Sequence, residues 1–173
     1  MSARTRDGAA ARRIAPFAAV LAIPFGRLGL WTEADTVAGI AFLPDDVRLR
    51  SPVEPLARRA CAQVERYLRD PDFRFHLPLQ AVGTPFQRRV WDAIAAIPRG
   101  RTRRYGDIAR ELASAPRAVG QACGENRFPL VIPCHRVVSA SGVGGFAHAD
   151  DGYLLYIKRW LLAHEGAGID PRT

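Results

Sequence analysis

The stretch FAAVLAIPFGRLGLWTEADTVAGIAFLP, Phe17 to Pro44, breaks into short apolar runs at Pro24, Gly26 and the polar TEAD. Apolar segments punctuated by turn formers in this way are expected of consecutive antiparallel strands joined by turns. A sheet of that kind has a face to bury and needs a second layer against it. Pro52 to Arg69 offers one: Val53, Leu56, Ala60, Val64 and Leu68 recur every three or four residues, which predicts a helix with one apolar face. FRFHLPL, Phe73 to Leu79, reads as a last short strand that ends this half.

Beyond residue 80 the periodicity becomes helical. In GTPFQRRVWDAIAAIPRG, Thr84 is placed to cap a helix, Pro85 suits its first turn and Gln87 completes a capping box; Phe86, Val90, Ala93, Ile94 and Ile97 form the buried face. YGDIARELA and PRAVGQACG predict two short helices broken at Ser114 to Pro116, an arrangement similar to a helix-turn-helix. GYLLYIKRWLLAHEG predicts a final helix with Leu154, Ile157, Leu161 and Leu162 inward, whose last turn delivers His164 and Glu165. The expected class is therefore α/β: an antiparallel sheet with a helix over 16–80, then a mainly helical part over 81–168, with flexible tails at 1–15 and 169–173.

Charge narrows the partner. The chain carries 25 Lys+Arg against 17 Asp+Glu, and all but Lys158 of the basic residues are arginine. A net charge of +8 favours a polyanion, and planar guanidinium forks suit phosphate and base edges. Three cysteines, Cys61, Cys123 and Cys134, with no CxxC spacing argue against a disulfide framework and a self-contained zinc site, and imply a reducing, cytoplasmic setting. No apolar run is long enough to span a bilayer, and the first sixteen residues lack the apolar core of a signal peptide.

Chemistry concentrates in LVIPCHRVVSASGVGGF, Leu130 to Phe146. A thiol reacts as its thiolate, which is only a few per cent populated at neutral pH for an unperturbed cysteine, so Cys134 needs a group to take its proton. His135 is adjacent, but neighbouring side chains on an extended segment point apart, so contact requires a bend or one bridging water. Glu165 is the carboxylate expected to orient that histidine. Cys61 and Cys123 read as small buried apolar residues, and His76, His148 and His164 as packing or surface residues.

PCHRV at 133–137, with GTPFQRRVW, IPRGRTRRYGDIA, RAVGQACGEN and LLAHEG in the same order around it, resembles the O6-alkylguanine-DNA alkyltransferases, or methylated-DNA–protein-cysteine methyltransferases. The resemblance implies a ribonuclease H-like roll before the helical part. It also implies irreversible, single-turnover transfer of an alkyl group from O6-alkylguanine, with O4-alkylthymine a further substrate, to Cys134 after nucleotide flipping. His135 would act as base through a water and Glu165 would orient it. Tyr105 would assist extrusion and protonate the leaving guanine, and Asn126 would brace the turn before the cysteine. Arg117 would fill the gap in the DNA stack, with Ala118, Gly120, Arg104 and Arg127 also on the DNA. Pro133, Val137, Phe146 and Ala147 would line the base pocket.

The implied partner is double-stranded DNA carrying alkylated guanine, bound by a monomer that associates with the nucleoid, with no metal, cofactor or membrane. Arginines 88, 89, 99, 101, 103, 104, 110, 117 and 127 crowd the expected DNA face, where about half should instead pair with Asp92, Asp107, Glu111 and Glu125. Two other readings stand beside this one: a non-catalytic sensor or regulator that recognises alkylated DNA, and a Cys-His hydrolase that turns over.

Overall fold

The computed structural model describes residues 16–146 and 152–168; the two expected tails, Ala147 and His148 lie outside them. It is a mixed α/β fold. β1 (Ala19–Ile23), β2 (Gly26–Glu33) and β3 (Thr36–Leu43) form an antiparallel sheet in that order. Gly26, at φ 127°, turns the first hairpin. A Cβ there would come within 2.1 Å of Tyr153 Oη, which bonds the carbonyls of Phe25 and Leu43 at 2.7 and 2.8 Å and so pins the last helix to the sheet's end.

α1 (Pro55–Arg69) covers one face of the sheet with Ala57, Ala60, Cys61, Val64 and Tyr67 buried. Val53, expected on that face, precedes the helix and is 72% exposed, because Pro55 takes the first helical position. Leu56 and Leu68 are only partly buried: the small Ala57, Ala60 and Cys61 let the helix approach the sheet most closely along their side.

The expected strand at 73–79 is absent. Only Leu79 makes a bridge, to Val37, while the backbone of His76 is bonded in both directions by the Gln63 side chain of α1 at 2.8 and 3.1 Å. A side-chain amide has taken the place of a ladder partner, and Pro78 has no N–H to offer one.

The helical part follows as α2 (Pro85–Ala95), α3 (Tyr105–Glu111), α4 (Pro116–Gly124) and α5 (Gly152–His164). Thr84 and Gln87 form the predicted capping box at α2. Trp91 of α2 donates its indole N–H to the Ala122 carbonyl of α4 at 2.8 Å, satisfying its one polar atom within the core. A two-residue parallel pair then sets the geometry that matters most. β4 (Arg103–Arg104) pairs with β5 (Val137–Val138), so the residue that opens α3, Tyr105, is laid beside the chain that leaves Cys134. One contiguous apolar core runs from Leu28 and Val64 through Ile94 and Val119 to Ile157 and Leu161.

Candidate active site

Cys134 begins a 3-10 turn, Cys134–Arg136, after Pro133. The segment is therefore bent rather than extended, and each successive side chain rotates by about 120°. Leu130, buried at φ 72°, sets the approach to this turn. A left-handed leucine costs roughly 1–3 kcal/mol and persists because its surroundings hold it. Asn126 holds part of them: its Oδ1 accepts from Phe128 N at 2.9 Å while its Nδ2 donates to Ile132 O at 2.8 Å and to Cys134 Sγ at 2.9 Å.

Around the sulfur, burial outweighs every stabilising contact. Cys134 is 4% exposed, and burial, followed by the neighbouring Cys123, pushes its pKa well above 9.0; the Asn126 hydrogen bond and the charge of Lys158 pull the other way. At rest the residue is a thiol, donating to Cys123 O at 3.6 Å. Cys61, by contrast, lies in the α1 core with its pKa pushed by burial to about 11.

His135 and Glu165 are buried and face one another, with Nε2 of the histidine 2.9 Å from Oε1 of the carboxylate. Burial alone would raise the Glu165 pKa, but hydrogen bonds from His135 and Arg136 outweigh it and hold the carboxyl far below its usual 4.5. An ionised carboxylate only accepts, so the proton of a neutral His135 must be on Nε2. Nδ1 is then the basic nitrogen, and it is buried without a hydrogen-bond partner among the described residues. Burial also keeps the imidazole below its usual 6.5 despite Glu165, so it is neutral and able to accept a proton near pH 7.

Arg136, not singled out in the sequence, grips the same carboxylate in a fork, Nε to Oε2 and Nη2 to Oε1, both at 2.9 Å. Its Nη1 donates to Ile97 O at 2.6 Å. Tyr67 of α1 was missed as well; its hydroxyl donates to Glu165 Oε1 at 2.8 Å. Lys158 is the third: the chain's one lysine is fully buried, with Nζ bonded to the carbonyls of Val137 at 2.6 Å and Gly145 at 2.8 Å and lying 5.7 Å from the centre of the Tyr105 ring. Burial lowers its pKa to about 8. A compact ammonium on a flexible stem reaches two converging carbonyls that a planar guanidinium fork fits poorly.

Tyr105 joins the group through Gly145, whose carbonyl accepts its hydroxyl at 3.1 Å. A cleft of about 560 Å³ opens beside it, lined by Arg104, Tyr105, Arg110, Pro116, Ser139 and Ala140 among others. Pro133, Val137 and Phe146 are buried and do not line that cleft.

On the helix-turn-helix, Arg117 is exposed in the first turn of α4 with Ala118 and Gly120 half-buried, and a Cβ on Gly120 would meet nothing within 4 Å. Arg104 is exposed. Arg127 is half-buried, and its carbonyl accepts from Ile40 N of β3 at 2.8 Å. Of the nine arginines named above, Arg103 pairs with Glu111, Arg110 with Asp107, and Arg99 with Asp72 rather than with any expected acid.

The charge pattern fixes the acid side of the stability profile. His135 and Glu165 both have folded pKa values below their ordinary 6.5 and 4.5, so between the folded and unfolded values the unfolded chain binds more protons. That stability is fully present above those ordinary values and is lost progressively as pH falls from them through the lower folded values. Melting temperature should drop from about pH 6.5 downward and more steeply below 4.5; a profile flat from pH 7 to 4 contradicts this charge assignment.

Comparison with known proteins agrees with the geometry. Residues 85–167 match the family model described as 6-O-methylguanine DNA methyltransferase, DNA binding domain. A methylated-DNA–protein-cysteine methyltransferase of Methanosarcina acetivorans is 34% identical over 157 residues, covering 86% of this chain and 97% of that one. The constitutive methylated-DNA–protein-cysteine methyltransferase of Bacillus subtilis is 37% identical over 150 residues, covering 80% and 88%. The crystal structure of Mycobacterium tuberculosis OGT in complex with DNA superposes with a TM-score of 0.69 at 33% identity, covering 84% of this chain and 90% of that one. With a near full-length relative and a matching domain, and with His135 next to Cys134 in the chain and bonded to Glu165, the chain belongs to the methylated-DNA–protein-cysteine methyltransferase family.

Proposed function

We propose that this protein repairs DNA by moving the alkyl group of O6-alkylguanine, flipped out of a duplex, onto Cys134 in a single irreversible turnover. His135 Nδ1 takes the thiol proton through a bridging water, and Glu165 stabilises the imidazolium that results. The sulfur attacks the alkyl carbon, the S–C bond forms as the C–O6 bond breaks, and the electron pair leaves with the guanine, which gains a proton from Tyr105. The observation that carries this reading is the buried Nδ1 of a neutral histidine next in the chain to a thiol, unpartnered among the described residues, with Nε2 committed to an ionised carboxylate.

Burial keeps Cys134 protonated at rest, so the thiolate forms only as His135 takes the proton. Extruding the nucleotide costs a few kcal/mol, less for a damaged base, and Arg117 fills the gap it leaves. Ala118, Gly120, Arg104 and Arg127 approach the backbone, so binding is salt-dependent. Pro133, Val137 and Phe146, buried rather than lining the cleft beside Tyr105, back the base pocket from the core. Residues 16–80 and 81–168 act as supporting and reacting parts of a monomer, in a reducing cytoplasm and on the nucleoid when bound. O4-alkylthymine presents a similar alkyl carbon and is a second substrate.

The test is intact mass after incubation with a duplex holding one O6-methylguanine. One methyl group per molecule and no more, with guanine restored in the DNA, is the expected outcome; tight binding with unchanged mass makes the protein a sensor, and repeated turnover makes it a hydrolase. Tyr105→Phe should retain lesion binding and slow transfer by about 10²-fold, the usual size of a lost acid catalyst. Single-turnover quench kinetics check this, and an undiminished rate removes Tyr105 from the donor role.

A further inference from the structure

The sheet-and-helix half supplies no group to the chemistry as described so far, yet one of its side chains enters the relay. Tyr67 stands on the buried face of α1, 98 residues before Glu165, and donates its hydroxyl to Oε1 at 2.8 Å. That oxygen already receives His135 Nε2 and Arg136 Nη2, both at 2.9 Å. Three donors therefore share one oxygen that has two lone pairs. Each donor reduces the negative charge left for the others, so the tyrosine competes with the histidine for Glu165.

The ring is held by aromatic neighbours and by a backbone hydrogen bond. It packs on Phe75 at 5.4 Å and edge-on to His164 at 5.3 Å, while its backbone carbonyl is 2.9 Å from His164 Nε2 on the same helix that leads to Glu165. Tyr67 is 1% exposed and lines a cleft of about 640 Å³ together with Arg136 and Arg99, so it also stands between that cleft and the carboxylate. Burial and the Glu165 charge raise its pKa, so the hydroxyl stays a donor.

We propose that Tyr67 is a positioning residue that tunes the basicity of His135 by holding part of the Glu165 charge, which makes the N-terminal half a working part of the site. The proposal rests on the alkyl-transfer reading for its consequence in rate, but its effect on His135 is separate. Removing the hydroxyl leaves Glu165 a stronger partner for the imidazolium, so His135 protonates at higher pH. The other groups that face this pair are unchanged by the substitution: Arg136 and Cys134 on the 3-10 turn, Lys158 and His164 on α5, Arg99 after α2 and Cys123 on α4.

The experiment compares wild type with Tyr67→Phe, which keeps the ring and its packing, by NMR titration of labelled His135 and by the pH dependence of methyl transfer from an O6-methylguanine duplex. The expected result is an upward move of the His135 midpoint, and of the acid limb of the rate, by about one pH unit, the size of one hydrogen bond to a charged group. A site-specific 3-fluorotyrosine at 67, a stronger donor, should move both the other way, and it serves if the phenylalanine variant does not fold. A uniformly lower rate, or a lower melting temperature with the midpoint unmoved, overturns the proposal by making Tyr67 structural only. Should wild type transfer no methyl group, the functional reading fails while the NMR midpoint still decides the role of Tyr67.

Discussion

A Cys134→Ser protein binds O6-methylguanine DNA as wild type does and leaves the methyl group in place. The substitution keeps a small polar atom beside Asn126 Nδ2 and Cys123 O, so the turn and the surrounding core are retained. It removes the soft, acidic nucleophile: a hydroxyl is far weaker than a thiolate toward an alkyl carbon, and His135 cannot ionise it to a useful degree at neutral pH. Transfer should fall below detection while the affinity for the duplex and its salt dependence stay within about twofold, since the proposed phosphate contacts are arginines that the substitution leaves unchanged. Residual transfer at even a few per cent of the wild-type rate means that another group accepts the alkyl.

Glu165→Gln should damage fold and reaction together. The amide presents one acceptor and one donor where the carboxylate offered two acceptors to Tyr67, His135 and Arg136. Arg136 is largely buried and loses its counter-charge, and a broken buried pair costs about 3–5 kcal/mol. For a chain of this size that lowers the melting temperature by roughly 10 °C. The chemical loss has a specific cause. If the amide N–H turns to His135 Nε2, the ring proton moves to Nδ1 and the relay has no base, so transfer should slow by about 10³-fold even at temperatures where the variant is folded. Calorimetry and single-turnover kinetics on the same preparation separate the two effects; a stable variant with near wild-type rate shows that the carboxylate neither holds Arg136 nor sets the tautomer.

What the sequence revealed follows from what periodicity and caps can encode. The antiparallel strands between Ala19 and Leu43 and the helices opened by Thr84, Pro116 and Gly152 appear where their turn formers and apolar spacing put them. FRFHLPL misled because its alternation is real but its neighbour is a helix side chain, Gln63, rather than a strand, and no local pattern distinguishes the two. Val53 misled because spacing alone extends a helix past the proline that starts it.

The site divides the same way. Cys134 and His135 are adjacent, and Glu165 and Asn126 fall in recognisable blocks, but burial is a property of the folded chain. Arg136 reads as one more surface arginine until Glu165 is placed beside it. Tyr67 and Lys158 did leave a signal: each is a polar tip on an otherwise apolar helix face, and such a tip must find a partner once buried. Lys158 stands out further as the single lysine of an arginine-rich chain.

The most direct test is to locate the transferred atom. Wild-type protein is reacted to completion with a duplex carrying O6-[13C]methylguanine, digested, and each cysteine peptide is weighed and sequenced by mass spectrometry. The account predicts one labelled methyl group per molecule, as a thioether on Cys134, with Cys61 and Cys123 unmodified and the recovered base unmethylated. Label on either of those cysteines or on any other residue, or a protein that releases methanol and carries no label, contradicts it.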